Sequence, residues 1–317
     1  VFPHIEVAFI RAWIAYMRDT DITNQSSGTK RPVTLHEIPQ AQRGEPPLSP
    51  WRIIDASRGE VPAPEQLSAG LFAGELIIFR GVDAVRDLVS RGRTVVEEAF
   101  ESDSPWLAEG RLPEAEFQDR VRRARKRVQN DAGSEDAWQQ ILATLGFPSE
   151  EMLRDRLRLR VVPSRGGMRS RTSRPLEPHR DSWGSGIMAQ VNWWLPLYPL
   201  APTRTMLIWP GRFDRPVDNT SAEWDYDTLM RQRGSDYPLL PVARSAPPEP
   251  GEPVLIEPGE LLAFSAVHLH AGIADESGLT RLSLDTRTVW RRDVEEDRGA
   301  PNVDGAPHRP HWEMFSR

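Results

Sequence analysis

The residues with the clearest chemical potential sit in two distant stretches. His179 and Asp181 lie two apart within Pro178-His179-Arg180-Asp181-Ser182-Trp183-Gly184. Side chains alternate along an extended strand, so an imidazole and a carboxylate at this spacing face the same way. Far along the chain, Ala266-Val267-His268-Leu269-His270-Ala271 offers further imidazoles. One histidine from that stretch would complete a two-histidine, one-carboxylate set. Such a set suits iron(II), because it holds one octahedral face and leaves positions for a co-substrate and dioxygen.

An α-keto acid can chelate the free face, and its far carboxylate then needs a charged, bidentate partner. A guanidinium fork is the best fit. Arg281 lies on the strand expected after His270, and Ser283, two residues on, faces the same way and can add a hydrogen bond. His270 is preferred to His268 for its spacing to Arg281. His268 is left to support the ligands or to face solvent. Arg287 shares the face of Arg281 and is the alternative clamp, and Asp285 can pair with either. Arg180, between the two proposed ligands, is expected to point away from the metal. Trp183, Trp193 and Trp209 are expected in the core, and His4, His36, His308 and His311 on the surface.

The elements that must position these groups change character along the chain. Residues 4–18 have apolar side chains at helical spacing, and residues 19–50 read as a polar loop. Residues 51–70 are mixed and give no clear element. Residues 75–81 read as a short strand, with Asp83 as a candidate cap of a helix reaching about Phe100. Residues 113–157 read as helical and highly charged, with a basic run from Gln118 to Gln129 taken as a solvated face. Then the period shortens. Residues 157–163 and 280–290 alternate as strands, and 188–198, 205–211 and 254–265 are β-prone. Residues 164–177 read as a Gly, Ser and Arg loop, with a flap over the site as its functional reading. Residues 211–253 form a long insertion, and 291–317 a surface tail. Helices first and short strands later suit an α+β fold, with an antiparallel barrel or jelly roll buttressed by N-terminal and inserted helices. One domain over 1–317 is expected, with a support region at 1–156 and a core at 157–290.

Composition narrows the function classes. The net charge of −6 speaks against a general nucleic-acid binder. The only lysines are Lys30 and Lys126, in polar surroundings, which disfavours Schiff-base chemistry. The absence of cysteine excludes disulfides and thiolate metal sites and fits a cytoplasmic location. No apolar run spans a membrane, and the opening residues lack the basic lead and short apolar block of a signal peptide.

Taken together, HRDSWG, NWWLPLYPL, PGELLAFSAVHLHAG and SGLTRLSLDTRTV resemble the iron(II)/2-oxoglutarate-dependent oxygenases, and among them the phytanoyl-CoA dioxygenase-like family. The resemblance covers about residues 157–290. It implies a double-stranded β-helix (jelly-roll or cupin-like) core, with His179, Asp181 and His270 as ligands of Fe(II) and Arg281 as the 2-oxoglutarate clamp. It also implies that Trp194 lines the co-substrate pocket, and Asn192 shares its strand face. The implied reaction consumes O2, releases succinate and carbon dioxide, and oxidises a small molecule, with secondary metabolism as a setting. Related halogenases replace the carboxylate, so Asp181 implies hydroxylation or another oxidation. The chain departs from the family at Trp209-Pro210-Gly211-Arg212-Phe213 and in its long insertion, so the substrate stays open. Two other readings remain: a cupin-like metal-dependent isomerase or hydrolase without 2-oxoglutarate, and a binding protein using the basic helix.

Overall fold

The computed structural model describes residues 50–59, 61–164, 174–232, 236–273 and 275–315. The expected helix at 4–18, nearly all of the 19–50 loop and most of the 164–177 flap lie outside these residues. The described residues belong to one compact unit, Leu48–Arg317.

The spine of that unit is β10 (Arg281–Trp290), the longest strand. One edge pairs antiparallel with β5 (Gln190–Pro196); the other takes β4 (Arg158–Val162) and β3 (Met152–Arg154) end to end. The sheet continues from β5 through β8 (Leu261–Ser265) and β2 (Leu76–Arg80) to β1 (Trp51–Asp55). Only the β1–β2 pair in this seven-stranded sheet is parallel. A smaller antiparallel sheet orders β7 (Glu252–Pro253), β6 (Met206–Ile208) and β9 (His270–Gly272). The architecture is therefore mixed α/β with antiparallel-rich sheets.

Strand alternation divides the large sheet into two faces. Ile77, Phe79, Trp193, Leu195, Leu282 and Leu284 join a core cluster with helical residues such as Val85, Leu88, Trp138 and Ile141. The helices here are α1 (Pro64–Phe72), α2 (Asp83–Phe100), α3 (Glu114–Asn130) and α4 (Ala132–Thr144). Leu76, Ile78, Trp194, Leu262 and Phe264 turn the other way, onto Met206 and Ile208 of the small sheet. Trp193 anchors the helix side, its ring 5.6 Å from Trp138 and 6.1 Å from Phe79. Its indole N–H donates to Thr288 Oγ1 at 2.8 Å, so its polar atom is satisfied in the core.

Several expectations are corrected. The mixed stretch 51–70 supplies β1 and most of α1, and residues 152–154 form a strand where helix was expected. Asp83 is the first helical residue rather than the cap; Val82 precedes it without a side-chain cap bond. The basic helix α3 carries its charge in pairs, with Arg120, Arg122, Arg123 and Arg127 bridged to Glu116, Asp119, Glu101 or Glu98. The long insertion includes α6 (Tyr226–Arg231), preceded in chain order by the short α5 (Asp181–Ser185). The tail opens with α7 (Arg291–Glu295) and is not confined to the surface. Its His311, expected outside, is 1% exposed. Among the described residues, no helix is long and apolar enough to cross a membrane.

Candidate metal centre

The two distant stretches meet directly. His179 and His270 form an isolated antiparallel bridge, exchanging backbone hydrogen bonds of 2.9 and 3.0 Å. Their rings stand 4.2 Å apart between centroids. Asp181 is not on a strand with His179, as the spacing suggested; it opens α5. Its carboxylate still reaches both rings. Oδ1 lies 3.9 Å from His179 Nε2, and Oδ2 lies 3.9 Å from His270 Nε2. The ligand atoms of the three residues fall within 4.8 Å of one another.

Hydrogen bonding fixes what these atoms can do. His179 Nδ1 donates to Glu177 O at 2.7 Å, and His270 Nδ1 donates to His268 O at 3.0 Å. A carbonyl oxygen only accepts, so each Nδ1 carries a proton, and in the neutral ring Nε2 is left with its lone pair. Carbonyl partners of this kind orient and tune metal-bound histidines. Burial, then the neighbouring His270, depresses the His179 pKa to about 3, so its ring is neutral at physiological pH. Burial would raise the Asp181 carboxyl, but His270, His179, Arg287 and Arg160 outweigh it and hold the group at about 2. Two imidazole nitrogens and one carboxylate therefore converge, which is the donor set of a divalent first-row metal.

Asn192 Nδ2 donates to Asp181 Oδ2 at 2.7 Å, and Gln190 Nε2 donates to Asn192 Oδ1 at 2.8 Å. Asn192 thus lines the cavity with its amide N–H committed to the carboxylate. The cavity, about 740 Å³ of empty space including its open mouth, is also lined by Trp194, Phe264, Arg160, Arg281 and Arg287.

The arginines of this wall differ sharply. Arg287 Nε donates to Asp155 Oδ2 at 2.8 Å, and Arg160 pairs with Asp285. Burial would raise the Asp155 carboxyl, but Arg287 and Arg158 outweigh it and hold it below its usual range. Arg281 is 7% exposed, and among the described residues its Nε and Nη1 have no hydrogen-bond partner. Its guanidinium sits 6.0 Å from the Trp194 ring. Burial, then Arg160, lowers its pKa to about 10, which leaves it charged at neutral pH. A buried cation with nitrogens left unbonded is costly, and an anion in the cavity would satisfy it. Of the two candidate clamps, among the described residues Arg287 is ion-paired and Arg281 is not. Ser283, fully buried on the same strand face, does not line the cavity, and its Oγ is likewise unpartnered among the described residues.

His268 does not share a strand with His270, because the chain turns after Ser265. Its buried ring lies 4.6 Å from Phe213, and Nε2 is 3.2 Å from Gly74 O. Arg180 points away from the triad, and Trp183, Trp193 and Trp209 are all buried. The sequence reading missed Asp304, whose side chain meets Arg180 and Trp183. No local signal marks it, since its side-chain partners lie 87 or more residues away.

No protein-family model matches the chain, and no curated protein does. Solved structures do match. EvdO2 from Micromonospora carbonacea var. aurantiaca is 16% identical, over 56% of this chain and 65% of its own, at a TM-score of 0.36. EvdO2 has also been solved complexed with 2-oxoglutarate. The non-heme monooxygenase ThoJ, in its apo form, is 14% identical over 64% of this chain and 70% of its own, at a TM-score of 0.40. The epimerase SnoN in complex with Fe3+, alpha ketoglutarate and nogalamycin RO is 15% identical over 79% of this chain and 98% of its own, at a TM-score of 0.38. The chain thus spans just under two thirds of EvdO2. At these values the likenesses assign no residue, and the site rests on its own geometry.

Proposed function

We propose that this chain is a non-heme iron(II)- and 2-oxoglutarate-dependent oxygenase of the phytanoyl-CoA dioxygenase-like type, built on a double-stranded β-helix and oxidising a small molecule. One observation carries the reading. Two imidazoles with their Nδ1 protons committed to carbonyls turn their Nε2 atoms toward one carboxylate, and the same cavity holds a buried guanidinium with, among the described residues, no partner for two of its nitrogens. A metal site alone would not need the second feature.

His179, Asp181 and His270 are the residues that would hold iron(II), and Arg281 the one that would hold the far carboxylate of 2-oxoglutarate. When bound, iron and 2-oxoglutarate supply dioxygen activation, with release of succinate and carbon dioxide and oxidation of the substrate. The protein's part is placement and exclusion of water. Asn192 restrains Asp181, and Trp194 and Phe264 wall the cavity. Asp181 fills the third protein ligand position, which favours hydroxylation or a related oxidation over halogen transfer.

The test is succinate formation and oxygen uptake with iron(II), 2-oxoglutarate and ascorbate. Wild-type protein turns 2-oxoglutarate over slowly without substrate, and His179→Ala does not. Equal turnover by the two rejects the site. A wild type that binds metal but not 2-oxoglutarate favours the isomerase or hydrolase reading.

A further inference from the structure

Arg180 stands between two members of the triad yet takes no part in the cavity. It is 1% exposed, and all three guanidinium nitrogens are engaged. Nε donates to Asp304 Oδ2 at 3.1 Å. Nη1 donates to Phe213 O at 3.2 Å and to Val267 O. Nη2 donates to Arg212 O at 2.7 Å and Arg215 O at 2.8 Å. Three segments are thereby drawn onto the one that carries His179 and Asp181. Val267 lies in the turn leading to His270, Arg212 to Arg215 follow β6, and Asp304 belongs to the C-terminal segment.

Asp304 completes the node. Its Oδ1 accepts from Trp183 Nε1 at 2.6 Å, and its Oδ2 also accepts from Val217 N at 2.9 Å. Trp183 belongs to α5, the helix that Asp181 opens. The Arg180 guanidinium lies 6.0 Å from the Trp183 ring. A buried cation stripped of its carboxylate is strongly unfavourable, so docking of the tail satisfies a group placed between two ligands. The bonds are directional, and any shift of Arg180 moves the backbone on both sides of it. Equilibrium coupling between two sites runs equally in both directions.

We propose that Arg180 and Asp304 form a latch through which the docked C-terminal segment sets the placement of His179, Asp181 and His270, so that metal binding and tail docking strengthen one another. The inference rests on the metal-centre reading above. Arg180 and Asp304 are positioning residues that touch no reactant.

The experiment uses the full chain and cobalt(II) alone, read by its ligand-field absorption, with hydrogen–deuterium exchange of residues 300–311 as a second readout. Asp304→Asn keeps the side-chain size and lowers cobalt affinity about tenfold, the scale of a lost supporting contact at a metal site. Asp227→Asn breaks an exposed pair to Arg309 of the same tail and leaves cobalt affinity within about twofold. In the wild type, cobalt slows exchange across 300–311; in His270→Ala it does not. Wild-type cobalt affinity in a folded Asp304→Asn overturns the latch. So does a wild-type tail whose exchange ignores bound cobalt, a result that stands even where Asp304→Asn fails to fold. Should wild type and His179→Ala bind cobalt alike, the metal-centre reading falls first and the latch with it.

Discussion

The two faces of the large sheet are both largely buried and differently finished. On the helix side, Trp193 donates to Thr288 and Thr286 donates to Asp155 O at 2.9 Å, so the polar atoms of those residues are paired among apolar neighbours. On the cavity side, the same two strands present Gln190, Asn192, Arg281, Ser283, Asp285 and Arg287. The buried side-chain atoms of β5 and β10 that lack partners, among the described residues, all belong to this side: Gln190 Oε1, Arg281 Nε and Nη1, and Ser283 Oγ. Burial with pairing stabilises a fold. Burial without pairing costs free energy that a bound group must return.

The largest effect is expected on the helix side. Trp193→Ala removes the ring shared by Phe79, Trp138 and Phe147 and costs about 3–5 kcal/mol of stability. Chemical denaturation measures it. The folded fraction should still bind 2-oxoglutarate as the wild type does; a matching loss of affinity would erase the distinction between the faces.

On the cavity side the balance reverses. Arg281→Met keeps the length of the side chain and removes the unpartnered charge, so stability is held or raised while 2-oxoglutarate affinity falls about a hundredfold, or roughly 2.7 kcal/mol. Calorimetric titration of the metal-loaded protein reads the affinity. Arg287→Met instead strips Asp155 of its closest cation and lowers stability. If Arg287→Met loses the affinity and Arg281→Met keeps it, the clamp has been assigned to the wrong arginine.

How far the chemistry was legible depended on how local its cause was. Period-two alternation marked β4 and β10, because one side of each strand faces apolar neighbours. His179, Asp181 and His270 were singled out from residue type and order, and the structure brings their ligand atoms together. The strand geometry assumed for His179 and Asp181 was not, because Asp181 begins a one-turn helix closed by Gly186 in the left-handed region, φ 66°. The turn after Ser265 was hidden by the apolar, strand-like run Ser265-Ala266-Val267-His268-Leu269. β1 was illegible because its partner β2 lies beyond α1 and supplies the pairing. The Asp304 side chain and His311 are buried by tertiary contacts with segments a long way back in the chain, and nothing in the polar sequence around them announces it.

Acid gives a graded test. Burial depresses the His268 pKa to about 3, against the opposing pull of carbonyls at both ring nitrogens, Ser265 O at Nδ1 and Gly74 O at Nε2. The folded value is below that of a free imidazole, so the unfolded chain takes up the proton first. Its contribution to stability is complete above about pH 6.5 and is lost as pH falls toward 3, at about 1.4 kcal/mol per pH unit. Metal-free protein should therefore weaken steadily below pH 6, and His268→Gln should remove close to one proton from that slope in denaturation measured across the range. An unchanged slope would place the acid sensitivity elsewhere.

The smallest expected effect is the most discriminating, because it lies on one residue of a strand that serves both faces. Gln190 Nε2 donates to Asn192 Oδ1, so the Asn192 amide is oriented with its nitrogen toward Asp181 Oδ2. That bond draws the carboxylate to one side and restrains it between the two imidazoles. Asn192→Ala deletes the restraint and no apolar contact of the helix side. Metal affinity should fall about tenfold, roughly 1.4 kcal/mol, with little change in unfolding midpoint. Val191→Ala, the adjacent residue on the opposite face, should do the reverse, lowering stability by about 2 kcal/mol and leaving cobalt affinity unchanged. If both variants shift both quantities together, the strand transmits each change through its backbone, and the cavity face owes its function to the stability of the sheet rather than to the hydrogen bond on Asp181.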